Sequence, residues 1–314
     1  MIAAHDFDGD GAPDLLASTG ATEPMDQSRW WPFVWARNEG GGLFTVFDNL
    51  DVSGIDMPVN DPIQGVAIAR FNPDGPLQVA VTWDDTERPL RNPYGVQMFT
   101  VPAEPATQTW PRQKISDVST GEQLSAADLD SDSDLDVFMG NIWLRNNYQS
   151  PDWTPITIFT LSSGQSSRHE LANIDGDGDL DAFVGYSHDT DGRRMTWHER
   201  PTSAESVWPF HLIANLNTGY AESLDATDLD GDGDADVIVG EYNMRSAVEY
   251  PASLWVFENT GDGASWAQHL VYYGDSHYQS SQAFDIDSDG DLDILSKGWH
   301  HTRVHLYENL KCGP

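Results

Sequence analysis

Asp228-Leu-Asp-Gly-Asp-Gly-Asp-Ala-Asp236 sets oxygen-bearing side chains at the first, third, fifth and ninth positions of a nine-residue frame, with glycine at the fourth and sixth. A strand-like run precedes it, and the apolar Val237-Ile-Val-Gly240 follows it. The frame recurs as Asp6-Phe-Asp-Gly-Asp-Gly-Ala-Pro-Asp14, Asp128-Leu-Asp-Ser-Asp-Ser-Asp-Leu-Asp136, Asn173-Ile-Asp-Gly-Asp-Gly-Asp-Leu-Asp181 and Asp285-Ile-Asp-Ser-Asp-Gly-Asp-Leu-Asp293. Arg70-Phe-Asn-Pro-Asp-Gly-Pro-Leu-Gln78 keeps the frame but has lost most of its oxygens. Successive copies start 64, 58, 45, 55 and 57 residues apart, a period somewhat above that of known propeller blades.

Each repeat carries two further strand-like segments. One set is Phe33–Trp35, Gly95–Phe99, Ile142–Leu144, Met195–Trp197, Leu254–Phe257 and Val304–Tyr307; the next is Leu43–Phe47, Trp110–Ile115, Ile156–Phe159, Trp208–Ile213 and Trp266–Val271. Apolar and polar residues tend to alternate in these runs, and helical spacing is sustained nowhere. Four short strands per unit predict an all-β fold, a β-propeller of four-stranded antiparallel blades in one domain over 1–314. Six units are visible, starting near 1, 64, 122, 167, 222 and 279; six blades is the favoured count and seven the alternative. The last unit ends without its fourth strand, so that strand is expected to come from outside the given chain. Trp110, Trp208 and Trp266 read as packing residues.

Alternating oxygens on a curled loop converge on one point, and glycine supplies the positive φ that curling needs. Ca²⁺ takes six to eight oxygens at about 2.3–2.6 Å. Four carboxylates, a backbone carbonyl and water meet that demand, whereas zinc would want His or Cys. A polar turn needs one Asp, not four at fixed offsets. The predicted ligands are Asp6, Asp8, Asp10 and Asp14; Asp128, Asp130, Asp132 and Asp136; Asn173, Asp175, Asp177 and Asp181; Asp228, Asp230, Asp232 and Asp236; and Asp285, Asp287, Asp289 and Asp293. That makes about five Ca²⁺ sites, with the 70–78 copy excluded. An EF-hand would need Glu at position 12, where this chain has Ala17, Met139, Val184, Val239 and Ser296.

On these loops the chain resembles the FG-GAP, or VCBS-type, repeat family, whose loops are similar to those of integrin α-subunit propellers. The resemblance implies the propeller, the metal and extracellular adhesion or recognition; some related propellers are lectins. It implies no particular activity.

The net charge of −35, with 16 Lys and Arg against 51 Asp and Glu, argues against nucleic acid. Five Ca²⁺ would bring it to −25, so metal accounts for part of the acidity and a solvated surface for the rest. No apolar run approaches a membrane span. Cys312 is the only cysteine, so no internal disulfide is possible. No export signal is visible, and extracellular or cell-surface location is expected from the calcium loops alone, since millimolar calcium fills weak sites.

The loops join strands one and two, so other connections emerge at the opposite ends of the sheets. These hold Trp30, Trp31, Trp83, Asp84, Asp85, Arg168, Glu170, His188, Tyr220, Glu222, Glu241, His277, Tyr278 and Gln279, with Trp143, Tyr242 and Trp299 as candidate ligand-binding aromatics. The expected function is a calcium-stabilised module that binds a glycan or an extracellular protein there. A lyase-like polysaccharide enzyme is the alternative, with His169, Tyr186, His300 and Arg303 as candidate catalytic groups. A structural or assembly domain is the third reading, and His300-His301 could contribute to a transition-metal site.

Overall fold

A computed structural model describes residues 2–18, 33–53, 63–83, 95–119, 123–147, 152–160, 165–187, 193–216, 219–243, 251–278, 280–298 and 302–310. Trp30, Trp31, Asp84, Asp85, His188, Gln279, Trp299, His300, His301 and Cys312 lie outside these residues, as does the side chain of Trp83. The fold is all-β, built from the blades of a β-propeller, and no helix occurs among the described residues.

The first sheet contains β1 (Ile2–His5), β2 (Asp14–Ser18), β3 (Phe33–Asn38) and β4 (Phe44–Phe47). The second has β5 (Ile63–Ala69), β6 (Gln78–Trp83), β7 (Val96–Thr100) and β8 (Arg112–Ser116). The third has β9 (Ser125–Ala127), β10 (Asp136–Phe138), β11 (Ile142–Arg145) and β12 (Thr154–Thr157). The fourth has β13 (Gln165–Ala172), β14 (Asp181–Ser187), β15 (Arg194–His198) and β16 (Phe210–Asn215). The fifth has β17 (Tyr220–Thr227), β18 (Asp236–Tyr242), β19 (Ala252–Asn259) and β20 (Trp266–Gly274). The sixth has β21 (Ser280–Phe284), β22 (Asp293–Lys297) and β23 (Val304–Tyr307). Strands within each sheet follow chain order, and the sixth sheet shows three strands among the described residues. Two compact units divide the chain, Met1–Ile156 and Thr157–Pro314.

Alternation along the central strands explains how neighbouring sheets cohere. Successive side chains of a strand point to opposite faces. In β6, Val79 and Val81 join a cluster with Leu16, Trp35 and Trp110, whereas Ala80 joins another with Val137 and Leu144. In β18, Val237 and Val239 pack with Phe183 and Trp197, whereas Ile238 packs with Leu254 and Ile294. Strands buried on both faces read as continuous apolar runs, which is why Val237-Ile-Val239 shows no alternation.

The tryptophans just before or at the start of the fourth strands pack inward. Trp110 and Trp208 are fully buried and Trp266 is half-buried. Each donates its indole N–H to a carbonyl of the preceding turn: Pro105 at 3.1 Å, Ala204 at 2.9 Å and Gly263 at 2.9 Å. The last of these turns demands a glycine. Gly263 has φ of 68°, and a Cβ there would meet Trp197 Cζ2 at 2.7 Å.

Candidate metal centre

In each intact loop the backbone turns back on itself through two left-handed residues. Gly9 and Gly11, Gly176 and Gly178, and Gly231 and Gly233 all have positive φ. So do Ser131 at 65°, Ser133 at 79° and Ser288 at 65°, where a side chain is disfavoured. The first-position carboxylate then receives N–H groups from inside the curl. Asp228 Oδ1 accepts from Gly231 at 2.7 Å and Oδ2 from Gly233 at 3.1 Å; Asp6 does the same with Gly9 at 2.8 Å and Gly11 at 2.9 Å. Third- and fifth-position oxygens each accept the N–H two residues on, as at Asp230–Asp232 (3.1 Å) and Asp232–Asp234 (3.0 Å).

These local bonds hold the carboxylates together against their repulsion. Asp6, Asp8 and Asp10 each offer one oxygen within 4.8 Å of the others. The same holds for Asp128, Asp130 and Asp136, for Asp228, Asp230 and Asp236, and for Asp285, Asp287 and Asp289. Oxygens on opposite sides of a Ca²⁺ stand about 4.6–5.2 Å apart, so the spacing suits that ion. Asp130 Oδ1 is buried with no hydrogen-bond partner. Burial, then the charges of Asp132 and Asp128, raise the Asp130 pKa above the ordinary carboxylate value. Burial also raises Asp175 and Asp230, again with neighbouring carboxylates contributing. A divalent cation answers each of these costs, so the residues present fit calcium.

The ninth-position Asp has a structural task that the spacing did not reveal. Both of its oxygens are held by backbone N–H groups, in all five loops. Asp236 accepts from Leu229 and Asn259, both at 2.9 Å, and Asp136 accepts from Leu129 at 2.9 Å and Asn146 at 2.8 Å. Asp181 takes Ile174 and Arg200, Asp14 takes Phe7 and Asn38, and Asp293 takes Ile286 and Asn309. The carboxylate thus clamps the loop to the end of the third strand, and it is buried to do so. Burial raises Asp136 to about 8, Asp181 to about 7 and Asp236 to about 6, although the backbone bonds oppose the shift. The recurrent Asn at or just past the end of the third strand (Asn38, Asn146, Asn259 and Asn309) was the available signal in the sequence.

The 70–78 loop closes without an acidic cluster. Arg70 Nη1 donates to the Gly75 carbonyl at 2.7 Å, so a guanidinium bridges the curl from the first position to the sixth.

At the other ends of the sheets, the second unit gathers a buried polar network. Ser223 Oγ lies 2.7 Å from the His277 carbonyl and 2.9 Å from Ser281 Oγ; Ser281 Oγ lies 2.9 Å from Ser296 Oγ, which lies 2.7 Å from His277 Nδ1. Glu241 accepts the Ser253 N–H at 3.1 Å, and its carbonyl accepts the His277 N–H at 3.1 Å. Arg168 donates to the Glu222 carbonyl at 3.0 Å. Glu222, Glu241 and His277 are all buried, and the Tyr242 and Tyr278 rings meet at 4.8 Å.

The candidate catalytic groups have separate settings. His169 is buried, and that burial lowers its pKa to about 3, so it is neutral near pH 7. Tyr186 hydroxyl lies 3.0 Å from His198 Nε2 and 3.1 Å from Thr196 Oγ1. Arg303 pairs with Asp275 at 2.6 Å. Trp143 is fully buried in the third sheet, so it presents no surface to a ligand; the sequence could not show that both faces of β11 are covered. Tyr242 remains half-buried.

A family model of the FG-GAP-like repeat matches residues 173–239 and 228–296, so this stretch carries FG-GAP-like repeats. Cartilage acidic protein 1 of Mus musculus is 27% identical over 188 residues, covering 54% of this chain and 27% of that protein. Among solved structures, the PL11 rhamnogalacturonan lyase of Bacillus licheniformis is similar at 13% identity, with a TM-score of 0.51, covering 98% of this chain and 60% of that one. The exotype rhamnogalacturonan lyase YesX is similar at 9% identity and a TM-score of 0.50, with the same coverage. The chain therefore spans less than two thirds of each of these proteins, and the likeness to the lyases is one of fold.

Proposed function

We propose that the protein is a calcium-stabilised extracellular recognition module. Its five intact loops each take one Ca²⁺, and the sheet ends turned away from them bind a glycan or a protein. The observation that carries the first half is the buried, unpartnered Asp130 Oδ1 within a carboxylate triad of calcium dimensions. The second half is supported by the polar side chains of the second unit that converge at the far ends of their strands, with Tyr242 and Tyr278 beside them. Aromatic faces beside hydrogen-bonding groups suit a sugar ring. Extracellular calcium would keep the loops filled, and the FG-GAP-like repeats and the cartilage relative are consistent with that location.

The test combines metal counting with a glycan array. Dialysed protein should retain about five calcium ions, and chelation should lower the melting temperature, because an ion that binds only the folded state stabilises it by mass action. Selective glycan binding lost on Tyr242→Ala supports the recognition reading. Release of unsaturated sugars from rhamnogalacturonan or another acidic polysaccharide would favour the lyase reading instead, and silence in both assays by a well-folded protein a structural role.

A further inference from the structure

The 173–181 and 228–236 loops, both in the second unit, form a matched pair. Each has Gly at the fourth and sixth positions and Asp at the seventh. Each also has a Glu one residue before the clamping residue, beside a His of the fourth strand. Glu199 Oε2 lies 2.9 Å from His211 Nε2, and Glu258 Oε2 lies 2.7 Å from His269 Nε2. The charges of Glu199 and Glu258 act alike on Asp175 and Asp230. Two positions differ. The first position is Asn173 in one loop and Asp228 in the other, and the clamping residue is Arg200 in one and Asn259 in the other.

We propose that the 173–181 loop binds calcium more weakly than the 228–236 loop, so that the second unit answers rising calcium in two steps. This rests on the reading of the loops as calcium sites. A first-position carboxylate belongs to each of the four carboxylate triads, where it brings two oxygens and a charge. Asn173 brings one oxygen and no charge, and that oxygen accepts the Gly178 N–H at 3.3 Å. Arg200 works in the same direction. Its backbone N–H holds Asp181 Oδ1 at 2.8 Å, and its Nη1 pairs with Asp179 Oδ2 at 2.5 Å. The guanidinium is thereby fixed beside the seventh and ninth positions of the loop. Arg200 is buried, so dissolved salt screens its charge little. Asn259 makes the same backbone bond to Asp236 and adds no charge. Calcium affinity in oxygen-ligand loops is tuned by the charge count of the ligands. A missing anion and a resident cation both count against a divalent ion.

Hydrogen exchange read by mass spectrometry on the full chain tests this, with free calcium set by a chelator buffer and stepped upward. Peptides spanning 228–236 should become protected at calcium concentrations about tenfold or more below those that protect 173–181. Asn173→Asp and Arg200→Asn should each move the 173–181 midpoint to lower calcium and leave the 228–236 midpoint in place. Arg200→Asn keeps the backbone N–H that holds Asp181. Asp228→Asn should raise the 228–236 midpoint instead. The two midpoints of the parent decide the matter even where a variant does not fold. Coincident midpoints in the parent, or a 173–181 midpoint at the lower calcium, overturn the proposal and leave the loops as calcium sites. No calcium-dependent protection in either loop, with no ion bound by calorimetry, overturns the calcium reading itself and this proposal with it.

Discussion

Asn259 donates its backbone N–H to Asp236 Oδ1 at 2.9 Å and its side-chain amide to the carbonyl of Ile174, 85 residues earlier, at 2.9 Å. Asn146 repeats the arrangement, with Asp136 Oδ1 at 2.8 Å and the Phe71 carbonyl, 75 residues earlier, at 2.7 Å. Ile174 and Phe71 are both second-position residues of the preceding loop. One asparagine therefore joins its own loop, the end of its own third strand and the loop of the preceding sheet. The loop is a fastening between sheets as well as a candidate metal site.

That relationship separates two roles of the loop carboxylates. Asp236→Asn keeps the shape but places an amide N–H against one of the two backbone donors, leaving that buried donor unsatisfied. The expected loss is about 1–3 kcal/mol, measured by urea unfolding in EDTA so that metal makes no contribution. An unchanged midpoint would mean that Asp236 serves the ion alone.

Asp230→Ala should behave in the opposite way. Asp230 lies beside Asp228, Asp232 and Glu258, whose charges help to raise its pKa after burial. Removing it relieves repulsion in the metal-free protein, so unfolding in EDTA should be as hard as for the parent or harder. With calcium present the variant should melt below the parent and bind one ion fewer by calorimetry. A full complement of ions in the variant would remove Asp230 from the ligand set.

The acidic loop was legible because its chemistry is local: nine consecutive residues bring their own carboxylates, turn glycines and bounding strands. The strand pattern was legible for the same reason, since each hairpin carries its own alternation. The clamp at Asp136 and Asp236 was not, because its donors Asn146 and Asn259 lie beyond another whole strand and act through their backbone. Trp143 misled because an aromatic in a short strand looks the same whether one face of the sheet is covered or two.

The serines at left-handed positions give a test of the backbone by itself. Ser131, Ser133 and Ser288 hold φ between 65° and 79°, where the equivalent residues of other loops are glycine. Replacing each with glycine should stabilise the protein by about 0.5–1 kcal/mol, because relief of strain exceeds the extra entropy of the unfolded chain. Thermal unfolding of Ser131→Gly in EDTA reads this directly. A lower melting temperature would show that the serine hydroxyl does something the backbone argument omits.

The clamps also set how the metal-free protein responds to pH. Asp136, Asp181 and Asp236 have folded-state values of about 8, 7 and 6 against an ordinary 3.8, chiefly through burial. Between the ordinary and the raised values the folded chain holds more protons than the unfolded one. Stability from these groups is therefore fully present below about pH 4 and is lost as the pH rises through 6 to 8. In EDTA the melting temperature should fall from pH 5 to pH 8. Calcium reverses the preference, because it needs the ionised carboxylates that protons would occupy. The gap between calcium-loaded and chelated melting temperatures should accordingly widen over the same interval. A gap that stays constant from pH 5 to pH 8 would mean that the ninth-position carboxylates are already ionised without the metal, and that the N–H donors of residues such as Leu129 and Asn146 suffice to hold their charge.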